Sequence, residues 1–240
     1  MLYDLHTHSN YSDGEATFKD IIYVAERKNI GVSITDHNHI QGTIKAFNLS
    51  QQLKTNYICG IELGTNEGKE LLFYFNNSQD IEKFYITEIE PFKTKRMTRI
   101  SRDMSSFLNK SLYDEYNITF TTLPHPFGPL KKKVTYNKEL SQKMVDFVDS
   151  LEVINGTQAK NLNTLALKLA QDKSKLMTSS SDAHLIKDIG KVVSDIVIVN
   201  NKLISSKIID TYYDRDTFNT LLQITKANID HSILKRGLSV

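Results

Sequence analysis

Cys59 is the only cysteine in the 240-residue chain, so no disulfide can form within it and a reducing compartment is the natural reading. Excess charge is also nearly absent, since 30 lysines and arginines face 28 aspartates and glutamates. The whole-chain balance therefore does not point to nucleic acid, although a local basic patch is compatible with it. No apolar run approaches the roughly 20 residues needed to cross a bilayer. The opening Met1-Leu2-Tyr3-Asp4 has neither the basic region nor the apolar core of an export signal. Linkers rich in proline, glycine or serine, internal repeats and low-complexity tracts are missing as well. Together these absences predict a cytoplasmic protein with no membrane partner. They also predict a single domain over residues 1–240, with a core over about 2–200 and a C-terminal strand/helix extension (201–240) packed on it.

What is present fits a globular chain: 40% of residues are hydrophobic and 24% charged. Apolar periodicity and turn residues predict strands at 2–6, 31–35, 57–61, 70–75, 118–123, 151–154, 176–180 and 196–199. Helices are predicted after Thr17 (a capping-box-like start with Asp20), over 41–53, from Pro91 to about Asn109, and over 138–147, 161–170 and 217–225. Alternating strands and helices favour an α/β barrel over an open sheet.

Six of the seven histidines fall in four short motifs of metal-ligand residue types. These are His6-Thr7-His8 followed by Asp13, then Asp36-His37-Asn38-His39, Pro124-His125-Pro126 and Ser181-Asp182-Ala183-His184. Imidazole and carboxylate suit borderline and hard divalent ions. His6 and His8 have strand spacing, so both project from one face and can grip one ion. Each motif has a bland alternative. The His-x-His pair could be two polar residues on a half-exposed strand, Asp13-Gly14 a turn, His125 part of a rigid loop, and Asp182 a helix cap. However, His6, His37, Glu62, His125 and Asp182 each fall at or just after the end of a predicted strand. In a parallel barrel those ends converge on one face.

The series Asp4-Leu5-His6-Thr7-His8-Ser9, Ser12-Asp13-Gly14 and Thr35-Asp36-His37-Asn38 resembles the PHP (polymerase and histidinol phosphatase) superfamily. Gly60-Ile61-Glu62, Pro124-His125-Pro126, Glu152-Val153-Ile154-Asn155 and Ser181-Asp182-Ala183-His184 continue it in order, over roughly residues 2–190. The resemblance implies a distorted seven-stranded (β/α) TIM-like barrel. It also implies two or three divalent ions (manganese, iron or zinc) and phosphoester hydrolysis by metal-bound hydroxide. Carried over by position, His6, His8, Asp13, His37, Glu62, His125, Asp182 and His184 are ligands. Glu70 stands where many relatives have a further histidine and is a candidate to replace that ligand, the alternative being an ordinary strand-start carboxylate. His37, Glu62, Asp182 and His184 are the implied catalytic groups, with Glu62 as a candidate bridge between ions.

Lys93, Lys95, Arg96, Arg99 and Arg102 form a basic stretch on the segment after Pro91. Arg96 and Arg99 are candidates to hold a second phosphate or a nucleic-acid backbone, the alternative being a solvated helix face. Lys131-Lys132-Lys133 poses the same choice. Asn155 and His39 are further candidate substrate contacts. No serine or cysteine nucleophile is evident. The expected activity is hydrolysis of a phosphomonoester or phosphodiester of a nucleotide or sugar phosphate. A nuclease acting on RNA or DNA ends is the alternative, and a non-enzymatic module ranks last because the ligand set is nearly intact. C–N bond cleavage on the same barrel would call for a metal-bridging lysine, which these motifs do not display.

Overall fold

In the computed structural model, which describes residues 1–209, short apolar runs assemble into two sheets. The four-stranded sheet has the order β2-β1-β8-β9, built from β1 (Leu2–Thr7), β2 (Gly31–Ile34), β8 (Ser194–Val199) and β9 (Lys202–Ile208). The five-stranded sheet runs β3 (Cys59–Gly64), β4 (Glu70–Phe75), β5 (Ile118–Leu123), β6 (Ser150–Asn155), β7 (Leu176–Ser180). Among the described residues six helices intervene: α1 (Phe18–Lys28), α2 (Gln41–Leu53), α3 (Ser78–Glu88), α4 (Ser111–Tyr116), α5 (Lys138–Phe147) and α6 (Lys160–Asp172). None of the helices among the described residues is long and apolar enough to cross a membrane.

The molecule is thus a mixed α/β fold. Its ladders do not close into one continuous barrel among the described residues. Isolated bridges connect the sheets, with Val32 to Tyr57 and His37 to Glu62 on one side and Thr7 to Ala183 on the other. Leu5, Leu72, Tyr74, Phe120, Ile196 and Leu203 pack into one apolar cluster drawn from both sheets, and the Tyr74 hydroxyl donates to the Leu5 carbonyl at 2.9 Å. A second cluster covers β2 with the apolar faces of α1 and α2, and the largest packs α3 to α6 against the five-stranded sheet.

Not every strand is parallel, as the barrel expectation required. β4 runs antiparallel to both β3 and β5, with Gly64 opposite Glu70 and Leu72 opposite Thr122. This reversal follows from the short Gly-containing turn at 65–69, which can join only antiparallel neighbours. It puts the first residue of β4, Glu70, beside the last of β3. A carboxylate at the start of a strand therefore joins side chains at the ends of others.

The long helix expected from Pro91 to about Asn109 is absent. A 3₁₀ turn (Glu90–Phe92) and another (Met104–Phe107) flank irregular chain. Local side chains take the bonds a helix would need. The Thr94 hydroxyl donates to the carbonyls of Arg96 and Arg99, and Ser101 donates to the Phe92 carbonyl. The Ile100 amide is claimed by Gly64 and the Met97 carbonyl by Asn38. The helix in this region lies earlier, at α3, where Ile81, Phe84, Tyr85 and Glu88 form the buried stripe and Asn77 caps the start. The strand of the expected C-terminal extension is β9, which folds back on β8 as a hairpin. Asn200 and Asn201, both at positive φ, form its two-residue turn. The helix expected at 217–225 and His231 lie outside the described residues.

Candidate metal centre

The chain ends of β1, β2, β3, β5 and β7, together with the start of β4, bring the expected ligands into one buried cluster. His6, His8, Asp13, His37, Glu62, Glu70, His125, Asp182 and His184 are all buried. His6 Nε2 lies 3.4 Å from Asp182 Oδ1 and 3.5 Å from Glu62 Oε2. His8 Nε2 lies 3.2 Å from Asp182 Oδ1, and His37 Nε2 lies 3.5 Å from Asp13 Oδ2. His184 Nε2 lies 3.4 Å from Asp13 Oδ1, and His125 Nε2 3.2 Å from Glu62 Oε1. Four overlapping sets have ligand atoms close enough to share an ion. They are His8/Asp13/His37/His184, His6/Glu62/His125, His6/His8/Asp182 and His37/Glu62/Glu70.

Three carboxylates that the sequence reading left without a role hold these groups in place. Asp36 accepts from the Ser9 amide and from the Ser9 and Ser12 hydroxyls, fixing the loop that delivers Asp13. Asp4 accepts from the amides of Ser181 and Gly190, placing the adjacent Asp182. Burial pushes the Asp4 carboxyl up to about 6 despite those bonds. Glu152 accepts from the His125 amide, the Ser180 hydroxyl and Asn155 Nδ2, and its Oε1 lies 3.1 Å from His6 Nδ1. That contact assigns the proton to His6 Nδ1 and leaves Nε2 free to face the cluster. One signal for such residues was available: each is a lone acid in or next to an otherwise apolar strand segment.

Backbone geometry is specialised at the same points. Asn38, His125 and Asp182 have φ of 46°, 29° and 50°, a left-handed conformation that non-glycine residues adopt mainly where surrounding contacts enforce it. A Cβ on Gly14 would lie 2.1 Å from the His8 carbonyl oxygen, so only glycine fits the turn after Asp13. Asp13 is therefore both a turn residue and a member of the cluster.

The electrostatics are those of crowded lone pairs. Burial works to lower the His6 pKa, yet Asp182, Glu152 and Glu62 hold it well above its ordinary value. Burial opposes ionisation of Asp13 too, but His184 and His37 keep its carboxyl well below the usual range. By contrast, burial and the neighbouring His184 push His8 down to about 4. Several buried atoms of the cluster residues lack a hydrogen-bond partner, namely Asp13 Oδ1, His37 Nδ1, Glu62 Oε2 and His125 Nδ1. His37 Nδ1 and Glu62 Oε2 approach to 2.9 Å yet do not adopt hydrogen-bond geometry. Orphaned buried polar atoms are costly unless something else satisfies them. A divalent cation is what this nitrogen-and-carboxylate donor set would accept, so the residues fit metal binding.

The candidate substrate contacts are less uniform. Asn155 is buried, its Nδ2 donating to Glu152 and Asp182 and its Oδ1 accepting from the Thr157 amide and hydroxyl. It braces the cluster and has no capacity left for an incoming group. His39 stacks on Tyr11 with ring centroids 5.6 Å apart and meets Tyr85 edge-on at 6.5 Å. Arg96 and Arg99 lie on the irregular segment, which docks beside the cluster through Asn38 Nδ2 to the Met97 carbonyl (3.0 Å). Arg99 reaches over the β3–β4 turn next to Lys131, since both crowd the Cβ position of Gly68. Cys59 is buried and desolvation pushes its thiol up to about 12, which removes it as a nucleophile.

The family model for the PHP domain matches residues 4–186. The chain is 27% identical over 183 residues to an uncharacterised protein of Methanocaldococcus jannaschii, covering 70% of this chain and 90% of that one. Among solved structures it is similar to a lesion-specific endonuclease from Pyrococcus furiosus (18% identity, TM-score 0.64, 88% of this chain and 60% of that one). It is also similar to a two-domain protein of Bacteroides vulgatus containing a predicted PHP-like metal-dependent phosphoesterase (16% identity, TM-score 0.59, 82% and 58%). The chain spans less than two thirds of either solved structure, and at these identities the likeness is one of fold.

Proposed function

The chain belongs to the PHP domain family, and from that premise we propose that it hydrolyses a phosphomonoester or phosphodiester of a nucleotide or sugar phosphate. The observation that carries this is the buried convergence of histidines and carboxylates whose facing lone pairs are left without hydrogen bonds. In this reading the two sheets are the arcs of a distorted barrel and residues 1–240 form one domain. Its seven principal strands are β1–β7, with the β8–β9 hairpin laid against β1.

Divalent ions held here would neutralise phosphate oxygens and lower the pKa of a bound water toward about 7. His8, Asp13, His37 and His184 are proposed to hold one ion. His6 and Asp182, with His125 and the shared Glu62, are proposed to hold another. Glu152 keeps the His6 proton on Nδ1. The Asp182 carbonyl accepts from His184 Nδ1 at 2.9 Å, which aims Nε2 at Asp13. In this scheme His37 and His184 spend their ring nitrogens on holding the ion and on the Asp182 carbonyl, so the proton for the leaving oxygen is proposed to come from water at the centre. The Ser9 and Ser12 hydroxyls are occupied by Asp36, so direct attack by water is favoured over a covalent intermediate. Asn155 positions Asp182 and does not contact substrate in this scheme.

The experiment is hydrolysis by the manganese-loaded protein of a phosphomonoester, a 3′,5′-bisphosphonucleotide, a cyclic nucleotide and a short oligonucleotide. His125→Ala serves as the blank. Release of phosphate from the small nucleotides, lost in the variant, is the expected outcome; no turnover by a metal-loaded chain across the panel would refute the substrate class. The docked basic segment carrying Arg96 and Arg99, beside Lys131, supports a second reading in which a nucleic-acid end is the substrate. Oligonucleotide affinity would then fall with salt at a slope of about −0.7 per phosphate contacted.

A further inference from the structure

One contact at the centre involves a residue that is not a ligand type. Lys132 Nζ lies 2.7 Å from Glu70 Oε2, while His125 Nε2 lies 3.6 Å from the same oxygen. Glu70 is also within ion-sharing distance of His37 and Glu62. A divalent ion on Glu70 Oε2 would sit within a few ångströms of the ammonium, where like charges repel strongly. Lysine and ion therefore compete for this carboxylate.

We infer that Lys132 takes the place of a metal ion, its ammonium neutralising Glu70 and limiting the centre to the ions held by the remaining ligands. The inference rests on the metal-centre reading above and concerns how many ions that centre accepts.

The loop bearing Lys132 is built to deliver it. Leaving His125, the chain turns through Gly128 N to His125 O (2.6 Å) and Val134 N to Pro126 O (2.8 Å). Lys69, only 1% exposed, donates to the carbonyls of Lys133 (2.8 Å) and Tyr136 (2.6 Å) and to the Ser141 hydroxyl (2.8 Å). Adjacent residues thus grip one loop, Lys69 by its backbone and Glu70 by its lysine. Leu130, 80% exposed, adopts φ 55°, a conformation unfavourable for leucine that its own packing does not explain. It begins the 3₁₀ turn Leu130–Lys132, which sends Lys132 inward (31% side-chain exposure) while Lys131 and Lys133 face solvent. Burial works against charge on Lys132, but Glu70, Glu62 and Asp182 hold it above the ordinary lysine range.

The test is the manganese content per chain after saturation and gel filtration, measured by elemental analysis on the full chain. Lys132→Met should retain one more ion per chain than wild type, because the freed Glu70 carboxylate joins His37 and Glu62. Glu70→Gln alone should keep the wild-type count, and adding it to Lys132→Met should restore that count. An unchanged count in Lys132→Met, or loss of an ion in Glu70→Gln, overturns the inference while leaving the metal centre intact. A wild-type chain that retains no ion overturns the metal-centre reading and this inference with it.

Discussion

Glu152 collects donors from three strands and a loop: His6 on β1, Asn155 on β6, Ser180 on β7 and the His125 amide beyond β5. Every one of its partners is a donor, so a glutamine would turn an amide N–H toward another N–H or O–H. Glu152→Gln is expected to weaken manganese affinity about 10- to 100-fold, the usual cost of losing a carboxylate behind a ligating histidine. Calorimetric titration checks this, and an affinity equal to wild type would mean His6 does not depend on Glu152. Substituting His6 and His8 together by alanine strips donors from most of the ion-sharing sets. That double variant should lose both bound metal and turnover, and retained activity would remove the metal-centre proposal. Asp4 and Asp36 work at the same scale, each tying down a ligand-bearing loop from a neighbouring strand.

At the level of elements, α1 begins with a full capping box in which Thr17 accepts from the Asp20 amide and Asp20 accepts from the Thr17 amide. Thr17→Ala should cost about 1 kcal/mol and lower the melting temperature by roughly 2–4 °C in a chain of this size. The hydrogen bonds from Thr17 hold the Asp20 carboxyl below its ordinary value. A depressed carboxylate stabilises the fold above its unfolded pKa, near 3.9, and that contribution disappears as pH falls through the lower folded value. The penalty of Asp20→Asn, measured by denaturant unfolding, should therefore be smaller at pH 3 than at pH 7. This capping box is legible in Thr17-Phe18-Lys19-Asp20 because its partners are three residues apart. The segment after Pro91 was not legible in the same way. Its apolar spacing suits a helix, but bonds from Asn38 and Gly64, distant in sequence, divert its backbone. The stripe of α3 was present at helical spacing and lay just before the proline that seemed to open a helix.

For the molecule as a whole, the cluster sits where both sheets meet, so an ion bound there ties β1, β2, β3, β5 and β7 together. Manganese at a hundred times its dissociation constant should add about 2.7 kcal/mol to folding stability. At roughly 2–4 °C per kcal/mol the thermal midpoint should rise by several degrees and fall back on chelation. Absence of any shift would argue against an ion in the folded state.

By itself the sequence determined the residue types of the centre, the order in which the chain supplies them and the ends of the strands that carry them. Those properties are local: imidazoles and carboxylates in short motifs, strands bounded by turns, and a helix capped by its own neighbours. Only the tertiary structure decided which lone acids serve the ligands, because Asp36, Glu152 and Asp4 reach Ser12, His6 and Ser181 across 24, 146 and 177 residues. It also decided that β4 runs backwards, which brings Glu70 to the right end of the sheet, and that Lys132 reaches that carboxylate. Strand direction and long-range pairing depend on how distant segments pack, and the spacing of residues along the chain does not encode them.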